Sequence, residues 1–597
     1  MPVSSFHLRR LPAVVHHILS VSRFSFPVMM LSACLPVMGQ AAPLLPDAGT
    51  LGNQARQTAP RAIQIPELSP PDIASPAEGS PARRDNASAE RVTLKNIRLS
   101  GAPESPAVPI DAVLHEYTGR PLSFSDLRAL TASLTGLYRD AGLMAARVII
   151  PRQVIRDGEL SLTVLPGWTD KTSLNNTSPV RDSMLSRLAD TSLPEGGLVQ
   201  RDRVERLALL LNEQPGVDAS VSLAPGEKNG TTSAVIDARP GQRVGGYIGL
   251  DNQGSPSTGR SRVLAGVYAN SLLGMGDQLR LDGTLGYEHG GLVNGRLDYS
   301  QLISGYGTRA GAAYSRLDYQ YDFMQQSFLG YSDSWEAYVT HPLVRTGKAH
   351  VNLTASAGQS FLTDKYPGVF ALTGKEGKKT ASTGTLGVAG SMASVPGGVT
   401  GAGMSLTLGK MRYRDDTARF WSSSDIRNTE GSFVTFNYQV QHEQQIYGPL
   451  YASASLSGQE TSTNLDASRK FLLGGLSAVR AYDVGAGSVD RGLVATAELK
   501  GTWSLPATSW SGGSPFVTVG MFYDHGQGQQ NRNNTAAGIR LTDKNEVKLG
   551  GGGLYATVGD PGNYALTATW ARAASGKDPV SGVRDDNRVW LSAVKTF

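Results

Sequence analysis

At 597 residues the chain is long enough for several domains, yet only 18% of it is charged and glycine occurs 69 times, unlike an average soluble protein. The net charge of +5 is spread out rather than gathered into a basic stripe, which argues against a nucleic-acid partner. No run of about 18 or more apolar residues follows the first forty positions, which argues against a helical membrane span.

Residues 1–42 have the pattern of an export signal. Arg9, Arg10 and Arg23 precede the apolar stretch Phe24–Met38, and Gln40-Ala41-Ala42 offers small residues for cleavage. The one cysteine, Cys34, sits in "LSAC", which resembles a lipoprotein signal. The apolar run continues past it through Met38, which favours an ordinary signal over a lipid anchor. A cut near Ala42 leaves a chain that needs no disulfides in an oxidising compartment.

Residues 43–90 are rich in Pro, Ala, Ser and Gly and form a linker without a core. Within it "PDAGTLGNQAR", Pro46 to Arg56, is a candidate short helix.

Two small α+β units follow, 91–167 and 168–240. The first opens with the strand "RVTLKNIRLSG" and a short helix near "PIDAVLHEY". A stronger helix, "SDLRALTASLTGLYRDAG", is capped by Ser125 and ended by Gly142, with Leu127, Leu130, Leu134, Leu137 and Tyr138 on one face. The strands "ARVIIPRQV" and "ELSLTVLPG" close the unit. The second unit has helices near "RDSMLSRLAD" and "DRVERLALLLN", the latter carrying Val204, Leu207 and Leu211, then strands at "VDASVSL" and "SAVIDARPG".

From Gly241 to Phe597 strict alternation replaces the helical pattern. In "SFVTFNYQVQH", Val434, Phe436, Tyr438 and Val440 share one face and Thr435, Asn437, Gln439 and Gln441 the other. In "YALTATWA", Tyr564, Leu566, Ala568 and Trp570 oppose small residues. Apolar outside and polar inside is the pattern of a transmembrane β-barrel, and the segment accommodates about 16 antiparallel strands at about 22 residues each. Phe597 suits a lipid interface, whereas Lys595 on the same parity does not. A closed ladder satisfies every backbone group within lipid. A barrel this wide is not filled by its own wall side chains, so something must plug it or pass through it.

In "PFVTVGMFYDHG", Val517, Val519, Met521 and Tyr523 occupy the lipid face, so Phe522, Asp524 and Gly526 face the lumen. "VRAYDVGAGSVDRG", Val479 to Gly492, is too glycine-rich for helix or strand. An arginine from a loop folded into the pore could fork onto the lumenal carboxylate; a solvated loop arginine and a lumen-lining charge are the alternative.

Two α+β units before a C-terminal barrel resemble the outer-membrane transporters of two-partner secretion, the haemolysin-activator family. Its small periplasmic units are called POTRA domains. "RVIIPRQVIRDGELSLTVLPG", with Pro151, Gln153, Gly158 and Leu160, is similar to the end of the family's first POTRA. "LDNQGSPSTGR" followed by "NSLLGMGDQL" is similar to its first barrel hairpin, and "PDAGTLGNQ" to the start of its plug helix. Val479-Arg480-Ala481-Tyr482 resembles the signature of its inward-folded loop between strands eleven and twelve, with Ala where glycine is usual. Phe522-Tyr523-Asp524-His525-Gly526 resembles the partner signature Phe-x-Asp-x-Gly.

The resemblance implies a latch loop spanning about 464–491, held by Arg480 on Asp524. It implies an outer-membrane translocator that secretes an unfolded exoprotein without nucleotide hydrolysis. Folding of the substrate outside would bias its motion outward. The partner would be a large filamentous adhesin, haemolysin or contact-dependent inhibition toxin, with outer-membrane lipids around the barrel. Candidate substrate-binding surfaces are the POTRA sheet edges and the helix faces of Leu127, Leu130, Leu134, Leu137 and Tyr138 and of Val204, Leu207 and Leu211. The alternatives are an insertion factor for outer-membrane proteins and a passive porin.

No enzyme signature is present: no Walker A loop, no His-Glu-x-x-His, no Gly-x-Ser-x-Gly elbow. His115, His289, His341, His350, His442 and His525 are scattered without metal-ligand spacing. No cofactor, metal or catalytic residue is expected.

Overall fold

A computed structural model describes residues 46–58, 73–74, 91–103, 108–288, 290–323, 326–367, 375–422, 424–507, 513–536, 538–577 and 587–597. The expected export signal, Cys34 and most of the expected linker lie outside them.

Helix α1, Ala48–Gln57, starts on Asp47, whose carboxylate accepts from Thr50 N at 2.7 Å. Ten residues containing two glycines would not hold a helix in water. Here Ala48, Leu51, Asn53 and Gln54 are all buried.

The first α+β unit is a three-stranded sheet under two helices. Asn96–Ser100 runs parallel to Glu159–Leu165, which pairs antiparallel with Arg147–Ile149. Helix α2 covers Asp111–Glu116 and α3 Phe124–Asp140. The cap of α3 is Ser123, not Ser125. Ser123 Oγ accepts from Asp126 N while Asp126 Oδ2 accepts from Ser123 N at 2.7 Å. This reciprocal box needs an acceptor three residues past the cap. Asp126 provides it for Ser123, whereas Ser125 would face Arg128. Gly142, at φ +99°, ends the helix. The strand expected over "ARVIIPRQV" stops at Ile149. Pro151 has no N–H to give a ladder, and the Gln153 side chain instead serves Ser161 N and O at 2.9 and 2.7 Å.

In the second unit α4, Asp182–Ser192, and α5, Arg201–Asn212, cover the hairpin Val217–Pro225 and Thr231–Pro240. Ser173–Asn176 lies parallel beside the second hairpin strand. On the opposite edge Ile73–Ala74 adds in parallel to Val221–Ser222. This unit is docked on the barrel's periplasmic turns. Arg345 pairs with Glu213 at 2.5 Å, Arg206 donates to the carbonyls of Tyr306 and Pro342 at 3.1 and 3.0 Å, and Ser271 Oγ donates to Pro215 O at 2.6 Å.

Sixteen antiparallel strands close a barrel, from strand 1, Val244–Asp251, to strand 16, Arg588–Thr596. Strand length runs from 8 residues in strand 1 to 21 in strand 6, Gln326–Thr346. About 9–11 residues span the bilayer, so strand 6 extends well beyond it. The alternation seen in the sequence is the wall: on strand 13, Phe516–Gln529, Val519, Met521 and Tyr523 are exposed while Phe522 and Asp524 are buried inward. Lys595 does stand on the exposed parity. Its ammonium reaches Asn563 Oδ1 in the turn between strand 14, Glu546–Asp560, and strand 15, Tyr564–Ser575, which carries the charge to the rim.

Candidate functional site: the latched lumen

Strand 11, Leu450–Thr461, runs to the extracellular rim and strand 12, Arg491–Ser504, returns from it. Between them residues 462–490 turn into the lumen. The base of this loop is tied by Lys470 on Asp490 Oδ1 at 2.6 Å, and Asp490 Oδ2 also accepts from Arg532 N at 2.8 Å. Its tip doubles back: Val479 N donates to Leu473 O at 2.9 Å and Gly474 N to Ala486 O at 2.8 Å. Gly485 and Gly487 take the positive φ values of 90° and 65° that these turns require.

At the tip, Arg480 forks onto Asp524 of strand 13. Nε lies 2.9 Å from Oδ2 and Nη2 2.8 Å from Oδ1. The Arg480 backbone N–H donates to Oδ2 at 3.0 Å and Thr496 Oγ1 to Oδ1 at 2.9 Å. The Asp524 side chain is 0% exposed, so a carboxylate with four donors sits in the dry regime where losing its partner is expensive. The guanidinium also pairs with Glu498 of strand 12 at 2.7 Å, and its carbon lies 3.4 Å from the Phe522 ring centre.

Val479, Ala481 and Tyr482 are buried beside it with Phe522. Tyr482 OH donates to Ser575 O at 2.8 Å. Gly526 admits Val479, whose methyl would lie 2.9 Å from an added β-carbon. Ala481 is not among the residues with positive φ, so its methyl strains no backbone. The space for it comes from Gly551 on strand 14, Glu546–Asp560, where an added β-carbon would overlap the Ala481 methyl.

Helix α1 lies in the same lumen, against the loop. Asn53 Nδ2 donates to Lys470 O at 2.7 Å and Arg56 Nη2 to Ser468 O at 3.1 Å. Lys379, on strand 8, Glu376–Ala393, joins helix, loop and wall: its ammonium meets Asp47 Oδ2 at 2.5 Å and Asp466 Oδ2 at 3.1 Å. Asp364 Oδ1, on strand 7, Ala349–Lys365, accepts from Ala48 N at 2.7 Å and Tyr319 OH at 2.6 Å. Tyr413 OH donates to Asp466 at 2.8 Å and Tyr321 OH to Pro46 O at 2.7 Å.

The structure therefore brings together Val479, Arg480, Ala481, Tyr482, Phe522, Asp524 and Gly526. It does not bring the POTRA helix residues to a surface. Leu127, Leu130, Leu134 and Tyr138 are buried, with Leu137 partly buried, in the core of the first unit; Val204, Leu207 and Leu211 are buried in that of the second. They cover their own sheets, and the surfaces that remain are sheet edges. Glu498, Thr496 and Lys379 escaped the sequence reading. Glu498 had a usable signal, a charge on the lumenal parity beside outward Leu499. Among the described residues no cluster of metal-ligating side chains occurs.

Residues 92–167 match the profile of the POTRA domain, ShlB-type, and residues 230–360 that of the haemolysin secretion/activation protein ShlB/FhaC/HecB. The heme/hemopexin transporter protein HuxB of Haemophilus influenzae is 32% identical over 487 residues, 81% of this chain and 83% of its own length. The outer membrane transporter CdiB of Dickeya dadantii is 22% identical over 447 residues, 73% and 77% of the two chains. Among solved structures, CdiB from Escherichia coli superposes with a TM-score of 0.70 at 19% identity, covering 93% of this chain and all of that one. CdiB from Acinetobacter baumannii gives 0.57 at 16% identity over 88% and 95%. The chain thus belongs to the haemolysin secretion/activation family, and is a two-partner secretion transporter of the outer membrane with its POTRA region in the periplasm.

Proposed function

We propose that this transporter keeps its pore shut with two segments of its own chain, loop 462–490 and α1, and opens by withdrawing both for one unfolded exoprotein. The observation that carries this is the lumenal seat of the loop: Arg480 satisfies a carboxylate that is fully buried on the wall. Lys379 couples loop to helix, since one ammonium serves Asp466 of the loop and Asp47 at the helix start. Losing either contact exposes the other to water, so the two segments release together.

The exoprotein meets the POTRA sheets by adding a strand at an edge. The edge Asn96–Ser100 is the candidate, because the Val217–Pro225 edge already carries Ile73–Ala74. Among the substrate classes of this family, the higher identity to a heme/hemopexin transporter than to CdiB favours an exoprotein that engages heme or hemopexin. Co-expression with the product of the neighbouring open reading frame tests both parts. The expected result is export that depends on this chain, and an exported product that binds hemin. Export without hemin binding would redirect the substrate class. Retention in the periplasm would overturn the pairing.

A further inference from the structure

The barrel closes where strand 1 meets strand 16, and among the described residues this is its shortest ladder. Tyr247–Asp251 pairs with Ser592–Thr596, five residues a side, with Gly246 and Phe597 exchanging two further backbone bonds at 2.9 and 3.0 Å below them, whereas strand 1 pairs over eight with strand 2, Arg262–Asn270. Above Asp251 the backbone adds one bond, Asn252 N–H to Leu591 O at 3.3 Å, and the Asn252 side chain adds two more. Asn252 Nδ2 donates to Val589 O at 2.9 Å, and Asn252 Oδ1 accepts from Leu591 N at 2.8 Å. One residue thus serves the seam with both its backbone and its amide side chain.

Higher still, the closure passes through the latch loop. Asp483, one residue beyond the Val479–Tyr482 motif, holds two arginines on one carboxylate. Arg588 of strand 16 approaches with Nη1 2.7 Å from Oδ1 and Nη2 2.8 Å from Oδ2. Arg260, in the loop that follows strand 1, approaches with Nη2 2.9 Å from Oδ2 and Nε 3.3 Å from Oδ1. Strand 16 is gripped a second time by Trp590, whose indole N–H donates to Arg480 O at 2.7 Å. The two guanidiniums lie on opposite sides of the seam. They repel one another unless a negative charge sits between them, and two-pronged pairing fixes that charge in place.

We propose that Asp483 is a positioning residue that staples the closing seam from inside the lumen. The tip that blocks the pore also ties strand 16 to the loop after strand 1. Withdrawing it for transport therefore loosens the top of the seam in the same movement. The wall can then widen around a passing chain without losing the ladder below. This deepens the latch account and rests on the loop moving during transport, but seam width and secretion are separate readouts.

The test uses the full chain in bilayers with Cys34 replaced by serine. Spin labels sit on cysteines replacing Leu250 and Leu591, both outward and exposed on the two strands, and their separation is read by pulsed resonance. With Asp483 present a single narrow distance is expected. Asp483→Asn removes the shared charge at nearly constant volume and is expected to add a second, longer population. Arg260→Ala, on a half-exposed loop side chain, is expected to broaden the distribution in the same direction; it serves if Asp483→Asn fails to insert. Unchanged distances in the inserted variants would overturn the staple. If Arg480→Ala still impaired secretion in that case, the latch would stand without it.

Discussion

Gly551 on strand 14 lies so close to Ala481 at the loop tip that a β-carbon on the glycine would overlap the alanine methyl. The wall is therefore shaped for the loop as much as the loop for the wall. Gly551→Val should push the tip off its seat; its β-carbon also crowds the Arg572 carbonyl of strand 15 at 2.7 Å, so the comparison is made on protein whose heat-modifiability in detergent shows an intact barrel. Overpacking of this kind costs about 1–3 kcal/mol, so secretion should fall by roughly tenfold or more at equal membrane level. Gly384→Ala, on strand 8, whose added methyl meets nothing within 4 Å, should secrete normally. Equal secretion by the two variants would remove the steric role of Gly551.

Lys379 is buried and serves carboxylates from helix and loop. Lys379→Met would leave Asp47 and Asp466 facing one another without their cation, a loss of about 3–5 kcal/mol for a buried pair. The expected outcome is expulsion of α1, seen as higher single-channel conductance and as faster proteolysis within residues 46–58. Adding Asp47→Asn should restore part of the closed state by removing one of the two stranded charges. A double variant as open as the single one would show that Asp47 does not hold the helix.

The periplasmic units carry their own acid sensitivity. Asp170 is held below its ordinary carboxylate value, because its oxygens accept from the Lys171 backbone N–H, the Thr231 hydroxyl and the Glu227 backbone N–H. A depressed folded-state pKa contributes stability above the ordinary carboxylate pKa and loses it as pH falls through the folded value. Hydrogen exchange in the full-length protein should thus show protection of residues 225–232 at neutral pH, and its loss below roughly pH 4. Asp170→Asn should lower the neutral protection and flatten the acid limb. An unchanged profile would mean that another group controls this hairpin.

Much of this was legible in the sequence because period two is a local property. The faces of "SFVTFNYQVQH" and "PFVTVGMFYDHG" are fixed by parity alone, and so is the lumenal direction of Asp524. The motif resemblance then supplied the partner, Arg480. The rest depended on residues brought together only by barrel closure. Trp590, Arg588 and Arg260 lie more than a hundred residues from the loop tip or on the far side of the seam, and no local pattern links them. Helix α1 carries only a short apolar stripe, Ala48, Leu51 and Ala55, which packs on wall residues such as Leu317 and Leu362, and the rest of its burial is met by polar partners on the loop. The cap at Ser123 shows in the sequence only through its reciprocal acid, Asp126, three residues on, whereas Ser125 has Arg128 at that place. The POTRA helix faces looked like binding surfaces for the reason that they are cores: an apolar stripe does not say what covers it.

Secretion by Arg480→Ala tests the central claim most directly. The variant is compared with the unaltered chain at equal outer-membrane level, with heat-modifiability in detergent confirming a folded barrel. A buried carboxylate stripped of its arginine costs the loop its seat, about 3–5 kcal/mol; a tip with no fixed seated position hangs loose across the bore instead of switching between a closed and a withdrawn place, so the account predicts an inserted barrel that no longer exports its exoprotein. Full export by that inserted variant would contradict it.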